Sequence, residues 1–262
     1  MHAMINIALN AVYSASDALL QSADRLDRLK IINSDPANFV SSIDKEIELT
    51  IVYHLQKAYP NHSIETRLGK KIEGEADEPT WLVDPLLGSF NYSRGIDCYG
   101  IAVACQAEGT ITHSVLILPS RNEEFTATRG AGAHLNNRRI RVNDEKLDYP
   151  IYTFDADAED TYLMTELIKE AGLRRAFTRI SGCVAIDMAY IAAGRMTGGW
   201  SMAPATISKL AAGLILTESG ALIGTEKGNP NIASSSEMIF AGPKAFKALV
   251  KTRQSISLKK DK

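Results

Sequence analysis

The chain has 262 residues, enough for one large domain or two small ones with a sizeable hydrophobic core. Apolar residues make up 45% and charged residues 23%, which is typical of a globular protein and excludes a disordered chain. The net charge of −2 gives no general affinity for nucleic acid, and the three cysteines lack metal or redox spacing, which favours reduced thiols and a cytoplasmic location.

The first half is predicted to contain two helices followed by an antiparallel sheet. Apolar residues recur at helical spacing over residues 4–22 and 38–58, and Pro60 ends the second helix. No stretch reaches about 18 consecutive apolar residues, so no membrane span is expected. The predicted strands and hairpin are "TWLVDP", "CYGIAVACQ", "THSVLILP" and "EEFTATRGAGAHLNNRRI".

The second half alternates between strands and helices, which indicates helices packed on a second sheet. The predicted strands are "YPIYTFDA" and "EMIFAGP". The predicted helices are "DTYLMTELIKEAG", "CVAIDMAYIAAG", "ISKLAAGLILTESG" and "KAFKALVKTRQ", the first three closed by glycine. We therefore predict an N-terminal α+β part over residues 1–148 and a C-terminal α/β part over 149–262, together forming one compact unit.

The stretch "WLVDPLLGSFNY" has the layout of a metal-phosphatase loop, with an acid at the end of a strand and a glycine turn leading to a helix. It lies in register with "YPNHSI", "EEFTATRGAGAHLNNRRI", "AIDMAYIAAGR" and "AAGLILTESGALI". Together these stretches resemble the inositol monophosphatase family, and most closely its bacterial extragenic-suppressor branch. The resemblance covers residues 1 to about 250.

This resemblance implies a layered α/β/α/β sandwich, usually assembled as a homodimer. The usual activity of the family is Mg²⁺-dependent hydrolysis of an inositol or sugar phosphate, which makes an active member a phosphoric monoester hydrolase. Four clustered carboxylates hold the Mg²⁺ ions, which activate a water molecule and neutralise charge on the leaving oxygen. They come from a Glu-Glu pair, from two acids of the D-P-[IL]-D-G-[ST] loop and from an acid that opens a late helix.

Only one of these four metal-ligand positions keeps an acid in this chain. Asp84 matches the first acid of the loop, whereas Leu87 stands at the second. Ungapped counting places Arg67 at the Glu-Glu position and Lys209 at the late acid. The four side chains carry a net charge of +1 instead of −4, so we expect no metal cofactor, and an ion-pair cluster of Asp84 with the two cations.

Other parts of the family site are kept. Gly88 and Ser89 retain the glycine turn and its hydroxyl, which predicts a remaining phosphate site together with Arg67 and Lys209. Asp44 matches a family acid that hydrogen-bonds this hydroxyl and helps to align the attacking water. Asp84, Ser89 and Asp44 are therefore the remnant catalytic positions, expected to be inactive.

Three functions remain open at this point. The first is a pseudophosphatase that acts by binding or scaffolding, as the extragenic-suppressor branch does with the transcription antitermination machinery on ribosomal RNA operons. The second is an active Mg²⁺-dependent phosphatase in which Glu65, two residues before Arg67 on an extended strand, replaces the missing acid. The third is a metal-free sensor in which Arg67 and Lys209 clamp a phosphate-containing small molecule.

Overall fold

A computed structural model describes residues 2–143, 149–155, 161–203, 206–232 and 235–260, of which 257–260 are described by their backbone alone. The chain divides into two compact units. The first comprises Met1–Arg139 with Thr206–Ile215, and the second comprises Ile140–Ala205 with Leu216–Lys262. The predicted boundary between residues 148 and 149 falls at a stretch that lies outside the described residues.

The first unit opens with two long helices, α1 (Ala3–Ala23) and α2 (Ser42–Ala58). Both confirm the predicted helices, but α2 begins four residues later than expected. Ser41 is its N-cap, with its backbone N–H and its hydroxyl both donating to the Asp44 carboxylate, at 2.9 and 2.8 Å. This capping box ends the preceding extended segment and holds Asp44 in the first turn of α2.

The main element of this unit is an eight-stranded sheet with the order β10-β9-β8-β7-β6-β5-β3-β4. Its strands are β3 (Ser63–Thr66), β4 (Lys71–Ile72), β5 (Thr80–Leu87), β6 (Gly100–Ala107), β7 (Thr110–Leu118), β8 (Glu123–Thr128), β9 (Gly132–Leu135) and β10 (Arg138–Ile140). Two short strands, β1 (Ile31–Asn33) and β2 (Val40–Ser41), form a separate ribbon.

The prediction of a purely antiparallel sheet is wrong at one pair of strands. β3 and β5 run parallel, with Ile64 beside Trp81 and Thr66 beside Val83. The reason is that β4 folds back on one side of β3, after which the chain returns along the other side of β3 as β5. This parallel pair brings the residues that follow β3 alongside the end of β5.

Helix α1 has the length and apolar content of a membrane-crossing helix, although it contains no unbroken apolar stretch. The apolar side of α1 packs in the hydrophobic core of the first unit. Ile5, Leu9, Val12 and Leu19 lie in one buried cluster with residues of α2 and of the eight-stranded sheet. The spacing of these residues is that of an amphipathic core helix, as the sequence predicted.

The second unit is built on a five-stranded sheet with the order β12-β11-β13-β15-β14. Its strands are β11 (Ile151–Asp155), β12 (Phe177–Arg179), β13 (Gly198–Ser201), β14 (Leu222–Gly224) and β15 (Met238–Ala241). The remaining longer helices are α4 (Thr161–Leu173), α5 (Val184–Ala192), α6 (Ile207–Glu218) and α7 (Pro243–Lys260), which confirm the predicted alternation. The residues of α6 are divided between the two units.

The buried face of α2 provides a test of the core. Replacing Ile47 with Ala removes a fully buried side chain from the cluster, so the free energy of unfolding should fall by about 2–5 kcal/mol. Leu49→Ala is the matched control, because Leu49 lies on the same helix but is 59% exposed, and it should change stability by less than about 0.5 kcal/mol. Urea denaturation of both variants measures the difference, and equal losses would contradict this orientation of α2.

Candidate functional site

The candidate site lies at the end of β5, where the strand leads into the short helix α3 (Ser89–Ser93). Gly88 makes the turn in the left-handed region, with φ of 65°. A Cβ at this position would lie 2.4 Å from the carbonyl oxygen of Cys98, so only glycine fits. The glycine turn predicted for this loop is therefore formed, and Asp84 is 2% exposed near the end of the strand.

Arg67 reaches this loop because it directly follows β3. Its backbone N–H donates to the carbonyl oxygen of Val83 at 2.9 Å, which continues the parallel pairing of β3 and β5. Its Nε donates to Oδ1 of Asp84 and its Nη2 donates to Oδ1 of Asp44, each at 2.7 Å. The predicted Arg67–Asp84 ion pair is thus present, and Asp44 is a second partner.

Burial on its own would lower the pKa of the Arg67 guanidinium, but Asp84 and Asp44 outweigh this and raise it above its ordinary value. The guanidinium therefore stays charged at neutral pH. Both carboxylates are almost fully buried, whereas the Arg67 side chain is 24% exposed. One fixed guanidinium thus pairs with both buried acids and offsets one of their two negative charges.

The other donors of Arg67 are also engaged. Its Nη2 lies 3.0 Å from the Ser89 hydroxyl and 3.3 Å from the Leu86 carbonyl oxygen, and its Nη1 donates to the Phe39 carbonyl oxygen at 3.4 Å. The Ser89 hydroxyl, which has a single proton to donate, lies 2.5 Å from Oδ1 of Asp44 and 2.8 Å from the Leu86 carbonyl oxygen. The hydroxyl contact predicted for Asp44 is formed, and two of the residues predicted to bind phosphate, Arg67 and Ser89, are engaged within this cluster.

Leu87 and Lys209 occupy the two remaining positions that the resemblance assigns to metal ligands. Leu87 is 2% exposed and packs as an apolar side chain. Lys209 belongs to the same compact unit as Asp84 and is 8% exposed, in the first turn of α6. Its backbone N–H lies 3.4 Å from the Thr206 hydroxyl oxygen. The ion pair predicted between Lys209 and Asp84 stays a prediction.

Glu65 is not brought together with Asp84. Burial alternates along β3, so that Ile64 and Thr66 are buried while the Glu65 side chain is 44% exposed. Its carboxylate pairs with Lys71 of β4 at 3.2 Å, whereas Arg67 lies beyond the end of the strand and points to Asp84. The expectation that Glu65 and Arg67 share one side therefore fails, because the extended alternation ends at Thr66.

The residues present do not fit a Mg²⁺ site. Mg²⁺ binds oxygen ligands in an octahedral arrangement, usually through free carboxylates. Asp44 and Asp84 are already paired with Arg67, and Leu87 offers no ligand atom in its side chain. Within the described residues, no group of three or more His, Cys, Asp or Glu side chains is arranged to hold a metal ion.

Sequence reasoning missed one further buried acid next to this cluster. Glu48, one helical turn after Asp44 on α2, is 3% exposed and accepts a hydrogen bond from the Thr66 hydroxyl. Lys45 donates to its other oxygen at 3.4 Å. The signal for it was the four-residue spacing from Asp44, which places both acids on the face of α2 that meets the sheet.

Comparison with known proteins identifies the family to which this chain belongs. The sequence model of the Inositol monophosphatase family matches residues 1–258. The chain therefore belongs to the inositol monophosphatase family, as its motifs indicated. A solved IMPase of Thermotoga maritima superposes with a TM-score of 0.87 at 23% identity, covering 98% of this chain and 99% of the other, which confirms the predicted fold class.

More similar relatives carry a specific name. The chain is 36% identical to the Nus factor SuhB of Pseudomonas aeruginosa, with 97% of each chain covered. It is 30% identical to the Nus factor SuhB of Escherichia coli strain K12, with 95% of each covered. The crystal structure of the extragenic suppressor protein suhB from Bartonella henselae matches with a TM-score of 0.91 at 27% identity, over 96% of this chain and 98% of that one.

The Arg67 cluster predicts a large effect of a single substitution. Arg67→Met keeps an unbranched apolar stem but leaves Asp44 and Asp84 buried without their cation, so the free energy of unfolding should fall by about 3 kcal/mol. Arg121→Met is the control, because its pair with Asp97 is exposed, and it should cost less than about 1 kcal/mol. Chemical denaturation at neutral pH compares the two, and similar small losses would show that the buried pair contributes little.

Proposed function

We propose that this protein is a pseudophosphatase of the inositol monophosphatase family that acts by binding, as a Nus-type factor in transcription antitermination. The observation that carries the proposal is the Arg67 guanidinium, which bridges Asp84 and Asp44 at the metal-ligand position of the family. The proposal includes a cytoplasmic location, assembly as a homodimer and no metal cofactor.

The proposed lack of Mg²⁺-dependent hydrolysis is argued from the positive charge of Arg67 beside Asp44 and Asp84. A divalent cation would have to displace the Arg67 guanidinium, which is part of the chain and is held by two short ion pairs. The raised pKa of this group keeps it charged at neutral pH. The divalent cation would also lack two carboxylate ligands, because Leu87 and Lys209 stand at the positions that the family resemblance assigns to acids. Mg²⁺ gives up its water reluctantly, so a site without surplus negative charge offers it no compensation.

The proposed role in transcription is supported by the relatives. Proteins named Nus factor SuhB match at 30–36% identity over at least 95% of this chain. Such a role needs surfaces for partners and does not need a catalytic metal, which agrees with a family fold whose acidic centre is neutralised. A protein of the transcription machinery is therefore the proposed partner.

The two alternatives are less well supported by the site. An active phosphatase with a relocated centre requires Glu65 near Asp84, but Glu65 pairs with Lys71 at the edge of the sheet. A metal-free phosphate sensor requires free donors on Arg67, and these donate to Asp44, Asp84 and nearby oxygens. A phosphate-containing small molecule would have to break these contacts before it could bind.

The first experiment measures hydrolysis of inositol monophosphate and of an aryl phosphate while Mg²⁺ is titrated from zero to tens of millimolar. The wild type should show no Mg²⁺-dependent turnover. The triple variant Arg67→Glu, Leu87→Asp, Lys209→Asp restores four acids and should gain turnover that rises with Mg²⁺. Leu87→Asp alone is the control. It should remain inactive, because Arg67 still occupies a metal-ligand position and pairs with Asp44 and Asp84. Clear turnover by the wild type would refute the pseudophosphatase.

The second experiment tests binding directly. The purified protein is mixed with RNA polymerase and antitermination factors from the same organism, and complexes are separated by gradient sedimentation. The wild type should co-sediment, and adding Mg²⁺ or EDTA should leave the extent unchanged, because the proposed binding needs no metal ion. Failure of the wild type to co-sediment at micromolar concentration would refute the antitermination role and leave the result on hydrolysis unaffected.

A further inference from the structure

A cavity of about 510 Å³ lies in the first unit, between the N-terminus of α1 and the strands β8 and β9. Small-molecule sites usually have volumes of about 300–1,000 Å³ and mix apolar walls with a few polar groups. The wall here has both kinds of side chain, among them His2, Ile5, Thr126, Thr128 and His134. We call this space the α1–β9 cavity.

A buried histidine with an unused ring nitrogen lies directly behind the cavity wall. The ring of His113, on β7, lies 4.2 Å from the ring of His2, measured between centroids. His113 is only 9% exposed, and its Nδ1 lies 3.0 Å from the Thr112 hydroxyl oxygen. Its Nε2, at the end of the ring away from β7, is buried without a hydrogen-bond partner among the described residues. Such an atom is rare in a folded protein and indicates a bound group that completes it.

The charges around the cavity favour an anion. Arg139 of β10 places its guanidinium against Gly132 in the cavity wall, where a Cβ on the glycine would lie 3.1 Å from Nε of Arg139. The 21-residue helix α1 adds the positive end of its dipole and has no acid in its first turn. The described residues that line the cavity include no acid. Glu124, on the same face of β8 by alternation, accepts a hydrogen bond from Tyr13 of α1.

We propose that the α1–β9 cavity binds a small organic anion, with a carboxylate or phosphate head group on an apolar body. The head group lies where the N-terminus of α1, the His2 ring and Arg139 converge. The His134 ring and the threonine hydroxyls offer further hydrogen bonds, and Ile5 contacts the apolar body. This site lies outside the Arg67 cluster and does not depend on the proposed function.

The histidines link this binding to pH. Burial, and then the neighbouring His2, lower the pKa of His113, so this ring is neutral at neutral pH. Across from it, Cys105 of β6 stays neutral because burial raises its pKa to about 11, and Thr128 of β8 does not titrate. The fixed charge at the cavity wall is Arg139. A bound anion stabilises the protonated imidazole, so binding takes up a proton and the affinity falls by up to about tenfold per unit as pH rises.

Histidine NMR tests the site, because the chain has five histidines. The full chain is labelled with ¹³C at imidazole Cε1, and each signal is assigned by replacing that histidine with glutamine. Benzoate and phenylphosphonate, which has no ester bond to hydrolyse, are then titrated separately near pH 6. The signals of His2, His113 and His134 should shift and saturate, whereas His54 and His62, which do not line the cavity, should not respond. The tighter of the two anions identifies the preferred head group.

Matched variants and a neutral ligand test the role of charge. Arg139→Met should raise the dissociation constant of the tighter anion at least tenfold, because it removes the cation beside Gly132. Arg138→Met is the control and should change it less than twofold, because alternation places Arg138 on the other side of β10. Benzyl alcohol, which has the apolar body without the charge, should bind the wild type at least tenfold more weakly. Binding of the anion should weaken at pH 8, and the titration midpoint of His113 should move upward when the anion is present.

Four results would each overturn the proposal. They are no saturable shift of the three cavity histidines with either anion, equal affinity for benzyl alcohol, equal effects of the two arginine variants, and affinity that does not change with pH. None of these results depends on phosphatase activity or on binding to RNA polymerase, so failure here can be told from failure of the proposed function.

Discussion

The described site depends on one guanidinium. Arg67 connects the end of β3 to Asp84 at the end of β5, to Asp44 in the first turn of α2 and to the carbonyl of Leu86 in the loop. Without it, two nearly fully buried carboxylates would lose the cation that each of them contacts. This cation therefore stabilises the same loop and strand ends that other members of the fold family arrange around metal ions.

A fixed cation and a bound metal ion differ in what they allow. An exchangeable Mg²⁺ can activate water and then release products, because its remaining ligand positions are open. A guanidinium has no open ligand position and does not lower the pKa of water in this way. Under the proposed function, Arg67 in the place of a metal ion would keep the loop folded without supplying this chemistry. A fold maintained without its catalysis is consistent with a role that uses surfaces rather than turnover.

The proposed binding role makes the groups outside the Arg67 cluster important. The first unit contains the buried polar cluster, whose groups are satisfied internally and offer little to a ligand. The second unit leaves large apolar side chains exposed between α4 and β12, among them Leu173, Phe177 and Ile180. Satisfied polar groups stabilise a fold, whereas exposed apolar groups gain free energy only when another surface covers them.

The sequence by itself determined the long elements and the loss of the acids. Periodic apolar residues indicated α1 and α2, and Leu87 and Arg67 stood where ligands were required, because residue type alone decides whether a side chain can hold a metal. Only the tertiary structure decided what Arg67 contacts. The parallel pairing of β3 with β5, and the point at which β3 ends, separate Arg67 from Glu65 and bring it to Asp44. These contacts join residues 17 to 23 positions apart, and local periodicity carries no information about such distant pairings.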